Sequence, residues 1–328
     1  MRVSVVLCTF NGERYLDAQL DSLLAQSRLP DEIVVHDDAS TDGTWARLQA
    51  FAGRAAAQGV PVRLQRNPRN LGYVRNFEQA LQAASGELLF PCDQDDVWHR
   101  RRIAVCLEAF ARDPALVLLH SDARLVDAGG QPLGQQLFQV LGVSAGELAA
   151  MHAGRALDVL LRRNIVTGAT MSLRRGLLAE ALPVPAGWSH DEWLAMVAAL
   201  RGRVDSLEQV TIDYRQHGAN QLGARRRGTA ERIDPGSRRA YRDAMAAKMQ
   251  ALAARVEAGA PAVSDEVRVR LGERLRHDRV RTGLPPARWR RLAPVLGELA
   301  RGAYTRYGTG LRGALLDLLA PAGGAHAG

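Results

Sequence analysis

The sequence predicts an α/β protein: a doubly wound, mostly parallel sheet with helices on both faces, followed by a basic helical C-terminal extension. Three observations carry this. Short apolar runs alternate with helically spaced apolar positions through residues 1–120. Polar residues gather where those runs end, as ligand-binding residues do beyond the carboxyl ends of parallel strands. The charge changes along the chain: residues 221–328 hold 21 Lys/Arg against 10 Asp/Glu, a net of +11, whereas the first 220 residues are net −3.

Val3–Cys8 reads as a buried strand, and Leu16, Leu20, Leu23 and Leu24 follow at helical spacing. Ile33–Val35 is a second strand, ending in His36-Asp37-Asp38. The Ser40-Thr41-Asp42-Gly43 turn leads into a helix marked by Trp45, Leu48, Ala52 and Ala55. Val60–Leu64 is a third strand, closed by Asn67-Pro68. Phe77, Ala80, Leu81 and Ala84 mark the next helix face, and Leu88–Phe90 runs as a fourth strand into Pro91-Cys92-Asp93. Farther on, Leu116–His120, Ile165–Leu173 and Val204–Leu207 read as strands and His190–Leu200 as a helix. Past Gly218 come Arg225-Arg226-Arg227 and Pro235-Gly236-Ser237, so the chain divides into parts 1–120, 121–222 and 223–328.

Composition sets outer limits. A chain of 328 residues with 47% hydrophobic and 24% charged residues can bury a sizeable core. The net charge of +8 suggests an acidic partner, but Lys248 is the only lysine, and such an Arg-for-Lys bias points to genome composition as much as to phosphate recognition. Cys8, Cys92 and Cys106 form no CxxC pair and imply neither a disulfide framework nor a zinc site, which suits a reducing cytoplasm. The N-terminus reads as a strand rather than a signal peptide, and no apolar stretch is long enough for a transmembrane helix.

Chemistry concentrates in two acidic clusters. In Asp93-Gln94-Asp95-Asp96, three carboxylates repel one another unless solvated or bound to a cation. In an extended segment Asp93 and Asp95 point the same way and can converge on Mg2+ or Mn2+, which takes carboxylates together with phosphate oxygens and water. A solvated acidic turn is the plainer alternative. In Asp37-Asp38-Ala39-Ser40-Thr41-Asp42-Gly43, helix capping explains Ser40 and Thr41, whereas Asp37 at a strand end can accept a hydrogen bond from a pyrimidine N3–H. The first loop, Thr9-Phe10-Asn11-Gly12-Glu13, carries neither GxGxxG nor GxxxxGK[ST], which argues against a dehydrogenase and a P-loop NTPase.

In order along the chain stand Val5-Val6-Leu7-Cys8-Thr9-Phe10-Asn11-Gly12, Ile33-Val34-Val35-His36-Asp37-Asp38-Ala39-Ser40-Thr41-Asp42-Gly43-Thr44, Asn70-Leu71-Gly72, Gly86-Glu87 and Asp93-Gln94-Asp95-Asp96. This set, over roughly the first 120 residues, resembles the family 2 glycosyltransferases of GT-A fold. Cys92 to Trp98 and Tyr214-Arg215-Gln216-His217-Gly218 more narrowly resemble its rhamnosyltransferase-like branch. The resemblance implies a nucleotide-sugar-binding half over 1–120, an acceptor-binding half over 121–222 and an Arg-rich helical region over 223–328. It places Thr9, Asn11, Glu13, Asp37, Asp38, Asn70, Arg75 and Asp93 around the nucleotide and its phosphates. It makes Asp95 the direct metal ligand, aided by Asp93, with His217 able to reach the metal or diphosphate. The family usually has Gly where this chain has Ala39, and an apolar residue where it has His36.

The family's acidic base lies in a Glu-Asp pair at the start of a later helix, and His190-Asp191-Glu192-Trp193 is the matching segment. Asp191 is assigned as base, with Glu192 as the alternative because His190 replaces the expected acid; plain dipole stabilisation of a helix start is the competing explanation. Thr167-Gly168-Ala169-Thr170-Met171 resembles the acceptor-side strand, so Gly168, Ala169, His190 and Glu192 join the sugar pocket. Trp98 and Trp193 are candidates for stacking on sugar faces or for core packing.

The tail has two readings. Trp289, Leu292, Val295, Leu296 and Leu299, with Arg288, Arg290, Arg291 and Arg301, form a basic amphipathic stretch, continued by Leu311, Leu315 and Leu318. It suits either an anionic membrane face or packing on the catalytic domain with its arginines in water. The whole predicts inverting, non-processive transfer of one sugar, L-rhamnose from dTDP-L-rhamnose or a hexose from a UDP-hexose, to a cell-surface glycan such as O-antigen, free or lipid-linked. It would act in the cytoplasm or peripherally on the inner face of the cytoplasmic membrane. A processive synthase would need transmembrane helices and a Gln-x-x-Arg-Trp motif, which this chain lacks. A nucleotidyltransferase would show a glycine-rich first loop with a basic residue, and a nucleic-acid-binding protein would leave the ordered acidic motifs unexplained.

Overall fold

In the computed structural model, residues 1–217 and 235–319 are described, and they fall into two compact units. The first contains Met1–Ala156, Ile165–Val184 and Trp188 to the end of the first described stretch; the second contains Leu157–Asn164, Pro185–Gly187 and the described residues from 235 onward.

The first unit opens with the strand–helix rhythm expected of a parallel sheet: β1 Val3–Thr9, α1 Glu13–Leu24, β2 Glu32–Asp37, α2 Thr44–Ala57, β3 Val62–Arg66, α3 Tyr73–Ala83 and β4 Leu88–Cys92. Every residue of β1, β2 and β4 is buried, as strands covered on both faces must be. The chain continues through β5 Val97–Trp98, α4 Arg102–Arg112, β6 Leu116–Val126, β7 Pro132–Gln136, α5 Leu137–Leu141, α6 Ala145–His152, α7 Ala156–Leu160, β8 Met171–Arg174, α8 Leu178–Ala181, α9 His190–Arg201 and β9 Arg203–Arg215.

The strands join one sheet in the order β3-β2-β1-β4-β8-β6-β9-β5, with β7 added on β6. Pairs β1–β2, β2–β3, β1–β4 and β6–β9 are parallel. The regular βα alternation that dictates parallel pairing ends at β4, and from there the sheet is mixed: β8 runs antiparallel to both β4 and β6, and β5 antiparallel to β9. The carboxyl ends of β1, β2 and β4 lie at one edge, so the loops after Thr9, Asp37 and Cys92 meet.

One element differs from the sequence pattern. Ile165–Leu173 reads as a single strand, but Gly168–Thr170 is a 3-10 turn and only Met171–Arg174 pairs as β8. The turn follows a long-range contact that local sequence does not encode: the Gly168 amide donates to the Asp191 carboxylate at 3.0 Å.

The second unit is helical: α10 Pro235–Glu257, α11 Asp265–Thr282, α12 Leu292–Ala300, α13 Ala303–Tyr307 and α14 Leu311–Leu319. Val295, Tyr304 and Ala314 form its small apolar centre, with Leu284, Leu299 and Leu318 packed against it. Much of its arginine content is structural. Buried Asp317 accepts from Arg242, Arg281 and Tyr304, and buried Arg274 pairs with Asp278. Among the described residues no helix is long and apolar enough to cross a membrane. The Arg225-Arg226-Arg227 run lies outside the described residues.

Candidate active site

The site is built where three strand-end loops converge. Asn11, with φ of 48° in the left-handed region that Asn tolerates, accepts from Thr41 N at 2.8 Å, and its own amide donates to Ser40 Oγ. Glu13 Oε2 accepts from Gly43 N at 2.9 Å. The loops after β1 and β2 are thereby stitched together. Gln94 binds the third loop to the first through both ends of its amide, accepting from Phe10 N at 2.8 Å and donating to Phe10 O at 3.0 Å. A Cβ on Gly12 would stand 2.2 Å from the Gln94 side chain, so a larger residue there would have to displace the Gln94 amide.

Asp37 and Asp38, read as nucleotide contacts, face the protein's own loops. Asp37 is fully buried and accepts from Thr9 Oγ1, Ser40 N and Ser40 Oγ, with Arg66 at 3.3 Å. Asp38 accepts from Asn67 Nδ2, Leu71 N and Gly72 N at 2.8–2.9 Å. Both carboxylates brace strand ends through these bonds. Ala39, between Asp38 and Ser40, has φ of 62°, which explains why glycine suits the position. Asp38→Ala would strand two backbone amides, and the expected loss is roughly 2 kcal/mol of stability by urea denaturation. A change near zero would restore Asp38 to the ligand's side of the loop.

The acidic loop after β4 is the electrostatic centre. Burial, together with the neighbouring Asp95 and Asp191 carboxylates, pushes the Asp93 pKa up to about 7. Asp96 is buried and also pushed well up, first by burial and then by Asp95 and Asp93; its Oδ1 accepts from Arg215 N, while Oδ2 has no hydrogen-bond partner. Asp95 Oδ2 meets His217 Nε2 at 2.8 Å, and its carbonyl accepts from Arg215 Nε. Tyr15 stacks on His217 with ring centroids 4.6 Å apart and has the Arg215 guanidinium 4.9 Å from its own centroid, joining α1 to the end of β9. The Tyr214 hydroxyl is pushed well up by burial and by the same acids.

Asp93, Asp95 and His217 are the residues that could hold a cation. Crowded carboxylates that repel one another, with their hard oxygen donors, suit a divalent ion. Among the described residues no three His, Cys, Asp or Glu side chains form a closed ligand group. An ion here would therefore take further oxygens from a ligand or water, as Mg2+ and Mn2+ do beside phosphates.

Asp191 opens α9. Its Oδ2 accepts from Gly168 N and its Oδ1 from Glu192 N at 2.8 Å. Its charge acts on Asp93, which puts it beside the acidic loop, and both it and Glu192 raise the Tyr73 hydroxyl, after burial. His190 is buried and stacked on Phe77 at 4.1 Å, so it packs against α3 rather than standing in for an acid. Gly168 contributes its amide to Asp191, and buried Ala169 contributes its carbonyl to Arg102.

Trp98 and Trp193 follow the core-packing alternative. Trp98 is 3% exposed, packed on Phe90 and Arg102, and Trp193 is 0% exposed, with its Nε1 donating to Ala181 O. Neither ring offers a face to a sugar. Asn70 lies in the exposed loop before α3 with its Oδ1 on Gly72 N, and Arg75 on α3 pairs with Glu78. Gln94, Tyr15, Tyr73 and Arg215 belong to the site although sequence reasoning gave them no role; Gln94 was visible only as the middle of Asp-x-Asp.

The glycosyl transferase family 2 profile matches residues 4–179, more than half of the chain. An uncharacterised glycosyltransferase of Nostoc sp. is 26% identical over 236 residues, 70% of each chain. An uncharacterised Mycobacterium tuberculosis protein is 27% identical over 66% of this chain, which spans 59% of that protein's length. Among solved structures, S. aureus TarS in complex with UDP-GlcNAc matches with a TM-score of 0.55 at 19% identity, covering 97% of this chain and 89% of that one. The Pyrobaculum calidifontis mannosyltransferase PcManGT, in complex with GDP-Man and Mn2+, matches with a TM-score of 0.51 at 20% identity, covering 96% and 78%.

Proposed function

The chain belongs to glycosyl transferase family 2 and is a glycosyltransferase of GT-A fold, and from that premise we propose an inverting, metal-dependent transfer of a single sugar to a glycan acceptor. What carries the reading is Asp191 near the start of α9, held by the Gly168 amide, with its charge acting on Asp93 of the acidic loop. A nucleoside diphosphate leaving group needs its growing charge met, and an acceptor hydroxyl needs its proton removed. The two halves of the site supply these two needs.

Asp95, with Asp93 and His217, would hold Mg2+ or Mn2+, which would neutralise the diphosphate when bound. Asp191 takes the proton of the acceptor hydroxyl as that oxygen bonds to the anomeric carbon. The bond from that carbon to the diphosphate breaks, and its electron pair leaves with the diphosphate. The Gly168 amide fixes the Asp191 carboxylate, so the base is oriented before the acceptor arrives. Gln94 and the Asn11–Thr41 contact hold the nucleotide-side loops in register.

The donor we favour is dTDP-L-rhamnose, on the Cys92-to-Trp98 and Tyr214-to-Gly218 segments; a UDP-hexose is the alternative. The acceptor we infer is a cell-surface glycan, such as O-antigen, carried on lipid. Calorimetric titration of dTDP, UDP and GDP, each with and without Mn2+, tests both levels. Metal-dependent binding of dTDP over UDP is the expected result. Preference for UDP would replace the rhamnose donor and keep the reaction, whereas no binding of any diphosphate would remove the catalytic reading.

A further inference from the structure

Residues 285–319 turn their side chains two ways. Val295, Leu299, Ala314 and Leu318 point into the small centre around Tyr304. Trp289, Leu292 and Leu296 along α12 and the turn before it, and Leu311, Leu315 and Leu319 along α14, are exposed, Trp289 by 69%. Within each helix these leucines recur at one-turn spacing, so each helix carries an apolar stripe that its own packing leaves open.

The charges divide with equal sharpness. The segment has two acidic residues, Glu298 and Asp317, and both are buried. Glu298 meets His277, Arg276 and Arg301, and Asp317 meets Arg242, Arg281 and Tyr304. Arg288, Arg290, Arg301 and Arg312 are exposed, as is Arg306, which pairs with Glu273. The large side chains this segment shows to solvent are therefore tryptophan, leucine and arginine, with no carboxylate of the segment among them.

We propose that these exposed stripes of α12 and α14 seat on an anionic lipid surface. Leucine and tryptophan enter the boundary between headgroups and acyl chains, and arginine stems let their guanidinium groups meet lipid phosphates. Other occupants fit less well. A second copy would set exposed arginines against arginines with no exposed acid of this segment to meet them. Nucleic acid would account for the arginines but not for the open leucines. The proposal stands on the second unit alone and does not depend on the enzymatic reading.

The test is co-sedimentation of the full chain with vesicles of phosphatidylcholine, alone or with roughly one-third phosphatidylglycerol, at about 0.15 M salt. Binding to the anionic vesicles only is expected. Leu292→Glu with Leu315→Glu should lower partitioning more than about tenfold, with unchanged melting because both positions are exposed. Each of Arg288→Gln, Arg290→Gln and Arg312→Gln should lower it about fivefold. Quenching of tryptophan fluorescence by brominated lipid should fall in Trp289→Phe. Absence of vesicle binding, or equal binding to neutral vesicles unaffected by these changes, overturns the proposal. So does self-association abolished by the leucine pair, or salt-sensitive retardation of duplex DNA lost in the arginine variants, when vesicles are not bound.

Discussion

Asp95→Ala removes the Mn2+ dependence of nucleoside diphosphate binding and lowers sugar transfer by about 100-fold or more, while the protein stays folded. The loop carrying Asp95 is held by groups that the substitution leaves in place. Gln94 keeps both contacts to Phe10, the Asp95 carbonyl still accepts from Arg215, and Asp96 still accepts from the Arg215 amide. What disappears is the carboxylate facing His217 and one of the charges that raise Asp93 and Asp96. Relief of that repulsion offsets the lost His217 contact, so urea denaturation should show a midpoint close to that of the unsubstituted protein. Calorimetry with dTDP or UDP reads the loss directly, as an affinity indifferent to Mn2+. A variant that binds the diphosphate with full metal response would place the ion elsewhere in the site.

The parallel half of the sheet was legible because its strands are covered on both faces, and continuous apolar runs such as Val3–Cys8 have few other ways to be buried. The acidic loops were legible because residues of such mutual repulsion stand at strand ends. What stayed hidden depends on partners far along the chain. Gln94 meets Phe10 across 84 positions, and Gly168 turns because Asp191 is 23 residues away. Arg102, fully buried, holds Thr211 and the carbonyls of Ala169 and Met171, and composition marks it only as one more arginine. Trp98 and Trp193 show the same limit from the other side: an aromatic residue near a motif reads alike whether its ring faces a sugar or the core. In the tail, helical spacing grouped Val295 and Leu299 with Leu292 and Leu296, and only packing separates the inward pair from the outward one. Asp37 was legible by its position at a strand end, but its bonds to Thr9 and Ser40 were not.

Asp191→Ala should keep metal-dependent donor binding and lower transfer by about 100- to 10,000-fold, the range that a positioned general base contributes. Two acids share the start of α9, and the structure distinguishes them. Asp191 is fixed by the Gly168 amide and lies close enough to Asp93 to raise its pKa; Glu192 shares with it the influence on Tyr73. A base must reach the hydroxyl that attacks beside the diphosphate, so the acid next to the Asp93 loop is the better placed. Helix-dipole stabilisation predicts a different outcome: either acid would then be worth only about 0.3–1 kcal/mol of stability, and turnover would hardly change. Measuring kcat and donor affinity for Asp191→Ala and Glu192→Gln together separates these cases. Lost turnover with intact donor binding in the first variant, and near-normal turnover in the second, assigns the base to Asp191. The reverse pattern moves it one residue along the helix. Normal turnover in both would mean that the proton leaves by another route, and that the acids at the start of α9 serve the fold.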